Sequence, residues 1–191
     1  VAPSRGLEMC IRDSFNQPHN IVQCIIEKMR IDLGLKGVKI HPDTQKVNMD
    51  DPRLMHLYEV IEGRLPIVIH TGDYRYDFSH PRRLKRILHT FPNLVVDAAH
   101  FGGWSVFDYA LEYLEDENCY VDTSSALEFL GPRRTVELVR AYGVERVMFG
   151  SDFPMWSPVT EYNMLAAMPF TQEEFEAITW HNAERFIGQE I

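Results

Sequence analysis

The sequence predicts an α/β fold of repeated βα units, and three observations carry that prediction. Short, near-continuously apolar runs recur along the chain: GVKIH (37–41), PIVIH (66–70), LVVDAAH (94–100), CYVDTS (119–124) and RVMFGSD (146–152). Between them lie stretches with apolar residues at i, i+3, i+4 and i+7, which is a helix with one buried stripe. The runs also end on polar residues in step. His41 to His70 is 29 residues, His70 to His100 is 30, His100 to Ser124 is 24 and Ser124 to Asp152 is 28.

The elements follow in order. Val22, Ile25, Ile26 and Met29 form a first helical stripe ahead of the run at 37–41. Asp51-Pro52 opens a helix carrying Leu54, Leu57, Tyr58 and Ile61, and His80-Pro81 opens one carrying Leu84, Ile87, Leu88 and Phe91. Proline suits a first helical turn, because its missing N–H would find no intrahelical partner there. Phe107, Ala110, Leu111 and Leu114 mark the next helix, and Gly131-Pro132 opens one with Val136, Val139 and Tyr142. Thr171 and Glu174 make a capping box for a last helix with Phe175 and Ile178. Runs apolar on both faces suit parallel strands covered on both sides. Repeated βα units give either a doubly wound sheet or a (β/α)8 barrel. No G-x-G-x-x-G follows a strand, which weighs against a dinucleotide fold.

Composition bounds the function. Of 191 residues, 45% are apolar and 25% charged, the balance of one globular domain with a sizeable core. No stretch approaches the roughly 18–20 apolar residues of a membrane span. The start lacks a basic segment followed by an apolar one, so a cytoplasmic location is expected. A net charge of −9 argues against nucleic-acid binding, although a local pocket can still take a small anion. Cys10, Cys24 and Cys119 show no C-x-x-C spacing and read as reduced thiols. Residues 8–14, EMCIRDS, resemble the translation of a transposase mosaic-end adapter used in sequencing libraries. Residues 1–14 are therefore expected to be an artefact or a disordered segment, with a partial barrel domain over 15–191.

The polar run ends carry the chemistry. Each interval is about one βα unit, so His41, His70, His100, Ser124 and Asp152 stand at one height, at the strand carboxyl ends where barrel enzymes gather catalytic groups. Side-chain alternation puts His70 and Val68 inward, with Ile67 and Ile69 under the helices. It puts Asp152, Gly150 and Met148 on one face, and pairs Lys39 with His41 and Ala98 with His100. Imidazoles and a carboxylate converging in a barrel mouth are costly unless something pairs them. A divalent cation does so, and nitrogen and oxygen ligands suit zinc with an open position for water.

Together GLKGVKIHPDTQ, LPIVIHTG, FPNLVVDAAHFGG, NCYVDTSS, VERVMFGSDFP and HNAERFIG resemble the amidohydrolase-related family of metal-dependent barrel hydrolases, over residues 34–188. The resemblance implies a (β/α)8 barrel whose members include hydrolases, lactone hydrolases that in part work without metal, and non-oxidative decarboxylases. His70 is similar to the strand-five metal ligand. Asp152 is similar to the strand-eight aspartate, which binds metal and handles a proton. His100 is similar to the strand-six histidine, which binds a second metal in some members and polarises water or substrate in others. The first-strand H-x-H of the family is absent, so the five runs correspond to strands four to eight of an incomplete barrel.

The expected metal set is thus His70, His100 and Asp152, with zinc as the ion and His100 and Asp152 as catalytic residues. Lys39, His41 and Arg75 are expected substrate contacts. A carboxylated lysine ends strand four in some relatives, whereas here Lys39 lies two positions deeper than His41. Asp122, Thr123 and Ser124 read as a turn cluster, and His19, His56, His80, His89 and His181 as structural or surface residues. The expected activity is hydrolysis of an amide, ester or lactone-like bond in a small carboxylate-bearing metabolite, with decarboxylation as the alternative. A truncated barrel acting only by association is the non-enzyme reading. The partner is a small-molecule substrate, not nucleic acid or membrane, and a homo-oligomer is compatible with this.

Overall fold

The computed structural model describes residues 34–188. The adapter-like segment, the stripe from Val22 to Met29, His19, Cys10 and Cys24 lie outside the described residues. Five strands form one parallel sheet: β1 (Val38–Ile40), β2 (Ile67–Ile69), β3 (Val96–Ala98), β4 (Tyr120–Asp122) and β5 (Val147–Met148). Their spatial order is their chain order, each strand parallel to the one before. A doubly wound sheet reverses its order at a switch point. Among the described residues there is none, so the sheet is an arc of a barrel.

The register sorts side chains into two rows. Ile40, Ile69, Ala98, Val121 and Val147 pair in sequence, all fully buried. They share a core with Leu54 and Ile61 of the helix at Pro52–Ile61, Leu84 and Ile87 of the helix at Pro81–Thr90 and Leu114 of the helix at Phe107–Leu114. Each Val, Ile or Leu among them contributes roughly 1.5–3 kcal/mol when fully buried. The other row runs Lys39, Val68, Asp97 and Tyr120. Lys39 and Val68 are only half-buried there, because no described strand closes the arc over them.

The helices opened by Pro52 and Pro81, the stripe from Phe107 to Leu114 and the start of the last helix at Thr171 lie where the sequence predicts. Three further helices, at 42–45, 158–166 and 182–187, are not among the expected elements, and the helix read as opening at Gly131-Pro132 begins at Leu127. The helices are α1 (Pro42–Gln45), α2 (Pro52–Ile61), α3 (Pro81–Thr90), α4 (Phe107–Leu114), α5 (Leu127–Tyr142), α6 (Pro158–Ala166), α7 (Gln172–Glu176) and α8 (Asn182–Ile187), with a π turn at Ala177–His181. Asp51 and His80 cap α2 and α3 through hydrogen bonds from the N–H of Arg53 and Arg82. The Thr171–Glu174 capping box is complete. Helix α5 breaks at Gly131, whose φ of 68° lies in the left-handed region, so Pro132 opens a new helical segment there. Cys119 is a buried free thiol. No helix among the described residues is long and apolar enough to cross a membrane.

Two further expectations need correction. The strands are two or three residues long, shorter than the apolar runs, because the chain turns away as soon as its polar ends begin. Alternation also fails on β3. Ala98 belongs to the helix-facing row, and Asp97 faces inward. His100 reaches the mouth because it and Phe101 take left-handed φ values of 63° and 49°, which resets the parity of the strand. Such values are uncommon without glycine and gather at functional loops.

Candidate metal centre

Five loops at the strand carboxyl ends surround a cavity of about 800 Å³. Lys39, His41, His70, Arg75, His100 and Asp152 all line it, as does Asp43. Trp104, Phe129 and Trp156 form an aromatic wall, with Phe129 edge-on to both tryptophans at centroid distances of 6.2 and 6.0 Å.

The histidines sit on stiff loops. Gly72, with φ 77°, follows the β2 histidine, and a Cβ there would lie 2.5 Å from the Gly103 Cα and 2.7 Å from its carbonyl carbon. The absence of a side chain lets the two loops touch backbone to backbone, where the Trp104 N–H donates to the Thr71 carbonyl at 2.8 Å. His70 Nδ1 consequently lies 2.9 Å from His100 Nε2. On its far side, His100 Nδ1 is 2.9 Å from both the Ser124 carbonyl and the Ser124 hydroxyl.

Asp122 organises that side. Its Oδ1 accepts the backbone N–H of His100 at 2.9 Å, that of Ser124 at 3.0 Å and the Ser124 hydroxyl at 2.5 Å. Burial pushes its carboxyl up, but His100, Lys39 and these hydrogen bonds outweigh it and hold Asp122 below the usual carboxylate range. Asp97 has the opposite fate. Burial and the adjoining Asp122 carboxylate raise it well above that range, against the pull of Lys39. Burial likewise lowers His100, against the pull of the Asp122 carboxylate.

Asp43 was not among the expected site residues. It sits one residue past Pro42 in the short helix α1, a place that no strand-end count reaches. Its Oδ2 accepts the Ser79 hydroxyl at 2.5 Å and lies 3.4 Å from His70 Nε2. Both Asp43 Oδ1 and His70 Nε2 are buried without a hydrogen bond. Candidate ligand atoms of His41, Asp43 and His70 all lie within 4.8 Å of one another. Adjacent, buried, unpaired carboxylate and imidazole atoms form a donor set that fits a divalent cation.

His41 stacks on His70 and caps α1, its Nδ1 accepting the Thr44 N–H at 3.3 Å. Burial, followed by the neighbouring His70 and Lys39, pushes its pKa down to about 4. Asp152 is exposed, with a φ of 60°. Its Oδ2 accepts the Ser125 hydroxyl at 2.8 Å, and Ser125 in turn accepts the Trp156 indole N–H at 3.0 Å. Arg75 grips Asp73 through Nε at 2.9 Å and Nη2 at 2.6 Å, and holds it below the usual carboxylate range. His56, His80, His89 and His181 lie away from the cavity, beside Glu59, capping α3, on Glu117 and on Glu184 respectively.

The amidohydrolase family model matches residues 24–189. The chain belongs to that family. Among solved structures, the chain is similar to 2,6-dihydroxybenzoate decarboxylase from Rhizobium, with 16% identity, a TM-score of 0.72 and coverage of 90% of this chain and 68% of that one. It is similar to a dihydroxybenzoic acid decarboxylase from Polaromonas sp. JS666 with bound manganese and the inhibitor 2-nitroresorcinol, at 15% identity, TM-score 0.70 and coverage of 90% and 66%. A third is 5-carboxyvanillate decarboxylase from Sphingomonas paucimobilis, at 20% identity, TM-score 0.69 and coverage of 87% and 62%. These likenesses establish the fold, and the chain spans about two thirds of each of those chains. No curated protein matches it in sequence.

Proposed function

We propose that this protein is a metal-dependent, non-oxidative decarboxylase of small aromatic carboxylates. What supports the reading is one juxtaposition: His70 and Asp43, each with a buried lone-pair atom that lacks a hydrogen bond, line the same cavity as an aromatic wall. The solved neighbours named above, which act on ring carboxylates, point the same way.

In this reading His70 holds the ion, with Asp152 and Asp43 as its carboxylate partners. His100 is not a ligand, since both of its ring nitrogens are engaged. The ion would supply Lewis-acid polarisation of substrate oxygens, and manganese or zinc suits this donor set. Trp104, Phe129 and Trp156 stack on the substrate ring and exclude water. Arg75 and Lys39 face its carboxylate, the guanidinium offering paired N–H donors. Asp152 takes the acidic substrate proton on a carboxylate oxygen. It returns that proton to the ring carbon as the carbon–carbon bond breaks and carbon dioxide leaves.

Hydrolysis of an amide, ester or lactone is the second reading, favoured by the open position of Asp152 at the mouth, where a water can give up its proton. Product analysis separates the two. The protein carrying this sequence, supplied with Mn²⁺ and a panel of hydroxybenzoates and lactones, is expected to release carbon dioxide and the decarboxylated phenol. Ring-opened or cleaved products without carbon dioxide would overturn the first reading for the second. Equal turnover after chelation and in His70→Ala would overturn both.

A further inference from the structure

The hydrogen bonds behind His70 run in one direction and end on a main-chain carbonyl. The Ser124 carbonyl, 2.9 Å from His100 Nδ1, only accepts. The Ser124 hydroxyl, at the same distance, has its proton committed to Asp122 Oδ1 at 2.5 Å, so it too accepts from the ring. The proton of the His100 ring therefore sits on Nδ1, and Nε2 is a bare lone pair. His70 Nδ1, 2.9 Å from that lone pair, must be the donor. With its proton on Nδ1, His70 shows a bare Nε2 to Asp43, where that atom is buried and unbonded.

We infer that Asp122 and Ser124 are positioning residues for metal binding, which act through His100 to fix the tautomer of His70 so that Nε2 is its ligating atom. The inference rests on the metal-dependent reading of the site and names which atom takes part. His41 shows the contrast. Its Nδ1 accepts from Thr44, so as a neutral ring it carries its proton on Nε2. Nearness alone groups the two rings, and the direction of their hydrogen bonds separates them. Partners that orient a ligating histidine this way commonly change metal affinity by about 10–100-fold when removed.

Asp122 matters more than its distance from the cation site suggests. It holds the N–H of Ser124 and the N–H of His100 on one oxygen, which keeps the Ser124 carbonyl aimed at the ring. Asp122→Ala removes the oxygen that holds all three donors, so the Ser124 hydroxyl is free to turn toward His100.

The test begins with the metal-free chain labelled with ¹⁵N in its histidines. Long-range proton–nitrogen spectra at pH 7 are expected to show single Nδ1-protonated rings for both His70 and His100. An Nε2-protonated or doubly protonated His70 overturns the inference, whatever the metal does. Mn²⁺ alone is then titrated into the chain and into Asp122→Ala, with circular dichroism as the check on folding. A mixed His70 tautomer and a roughly 10- to 100-fold weaker Mn²⁺ affinity are expected in the variant. An unchanged spectrum and affinity in a folded variant overturn the inference. Absence of Mn²⁺ binding by the parent chain, with the tautomer as stated, overturns the metal reading instead.

Discussion

His41 lies flat on His70, with ring centroids 3.8 Å apart and planes within 13° of parallel. The contact places a second imidazole against the ligand candidate, yet the Nδ1 of His41 is tied to the first turn of α1. His41→Phe keeps the flat ring and loses the cap. The expected result is a stability loss of about 1 kcal/mol, the usual worth of an N-cap, seen as a lower melting temperature. Mn²⁺ affinity is expected to change less than about threefold, whereas His70→Ala abolishes binding. A hundredfold loss in His41→Phe would make His41 a ligand.

Arg75 is fixed by Asp73 in a bidentate grip, and its guanidinium stands 5.9 Å from the centroid of Trp104. A lysine keeps the charge but not the planar fork. Arg75→Lys is therefore expected to raise KM for an aromatic carboxylate roughly tenfold, the range of one charge-assisted contact, with kcat within about twofold. Steady-state kinetics decide it. An equal fall in kcat would move Arg75 from binding to the chemical step.

The contact of Gly72 with Gly103 leaves no room for a methyl group, and the φ of 77° adds strain for any other residue. Gly131 has nearly the same dihedral, 68°, but a Cβ at that position would meet nothing within 4 Å. Gly131→Ala is expected to cost about 1 kcal/mol from backbone strain alone, and Gly72→Ala at least about 2 kcal/mol. Thermal denaturation of the two variants gives the comparison. Equal losses would mean that the loops yield at little cost.

Glu174 completes the α7 capping box and pairs with Arg140, an interaction that, with the Thr171 N–H, brings its carboxyl from 4.5 to about 2. A depressed folded-state value stabilises the fold above the unfolded value and is lost as pH falls through the folded one. The contribution of this exposed pair is thus present above about pH 4.5 and gone below about pH 2. Glu174→Gln keeps a capping side chain and removes the charge. The melting-temperature gap between parent and variant is expected to be small at pH 7 and to close on acidification toward pH 2.

The positions of His41, His70, His100 and Asp152 around one cavity could be read from their spacing, since a βα unit has a nearly constant length and strand ends share a height. The helix starts could be read too, because proline and capping side chains act locally. What could not be read depended on where the chain leaves the sheet. Ala98 and His100 look like one face until the left-handed turn at His100 is known. Asp43 entered the site through a four-residue helix whose periodicity is too short to register. The roles of Asp122 and Ser124 rest on hydrogen-bond direction, which no spacing encodes.

Strand β5 has only two residues, and Asp152 stands four positions beyond its last one. Among the described residues its ladder joins it to β4 alone, whereas the two histidine loops are pinned to each other through Gly72 and Gly103. The acid side is held instead by side chains: Gly150 exchanges two hydrogen bonds with Thr123, and Asp152 and Trp156 both bond Ser125. Loss of the Ser125 hydroxyl would therefore release the acid side of the cavity while leaving the spacing of the two rings as it is.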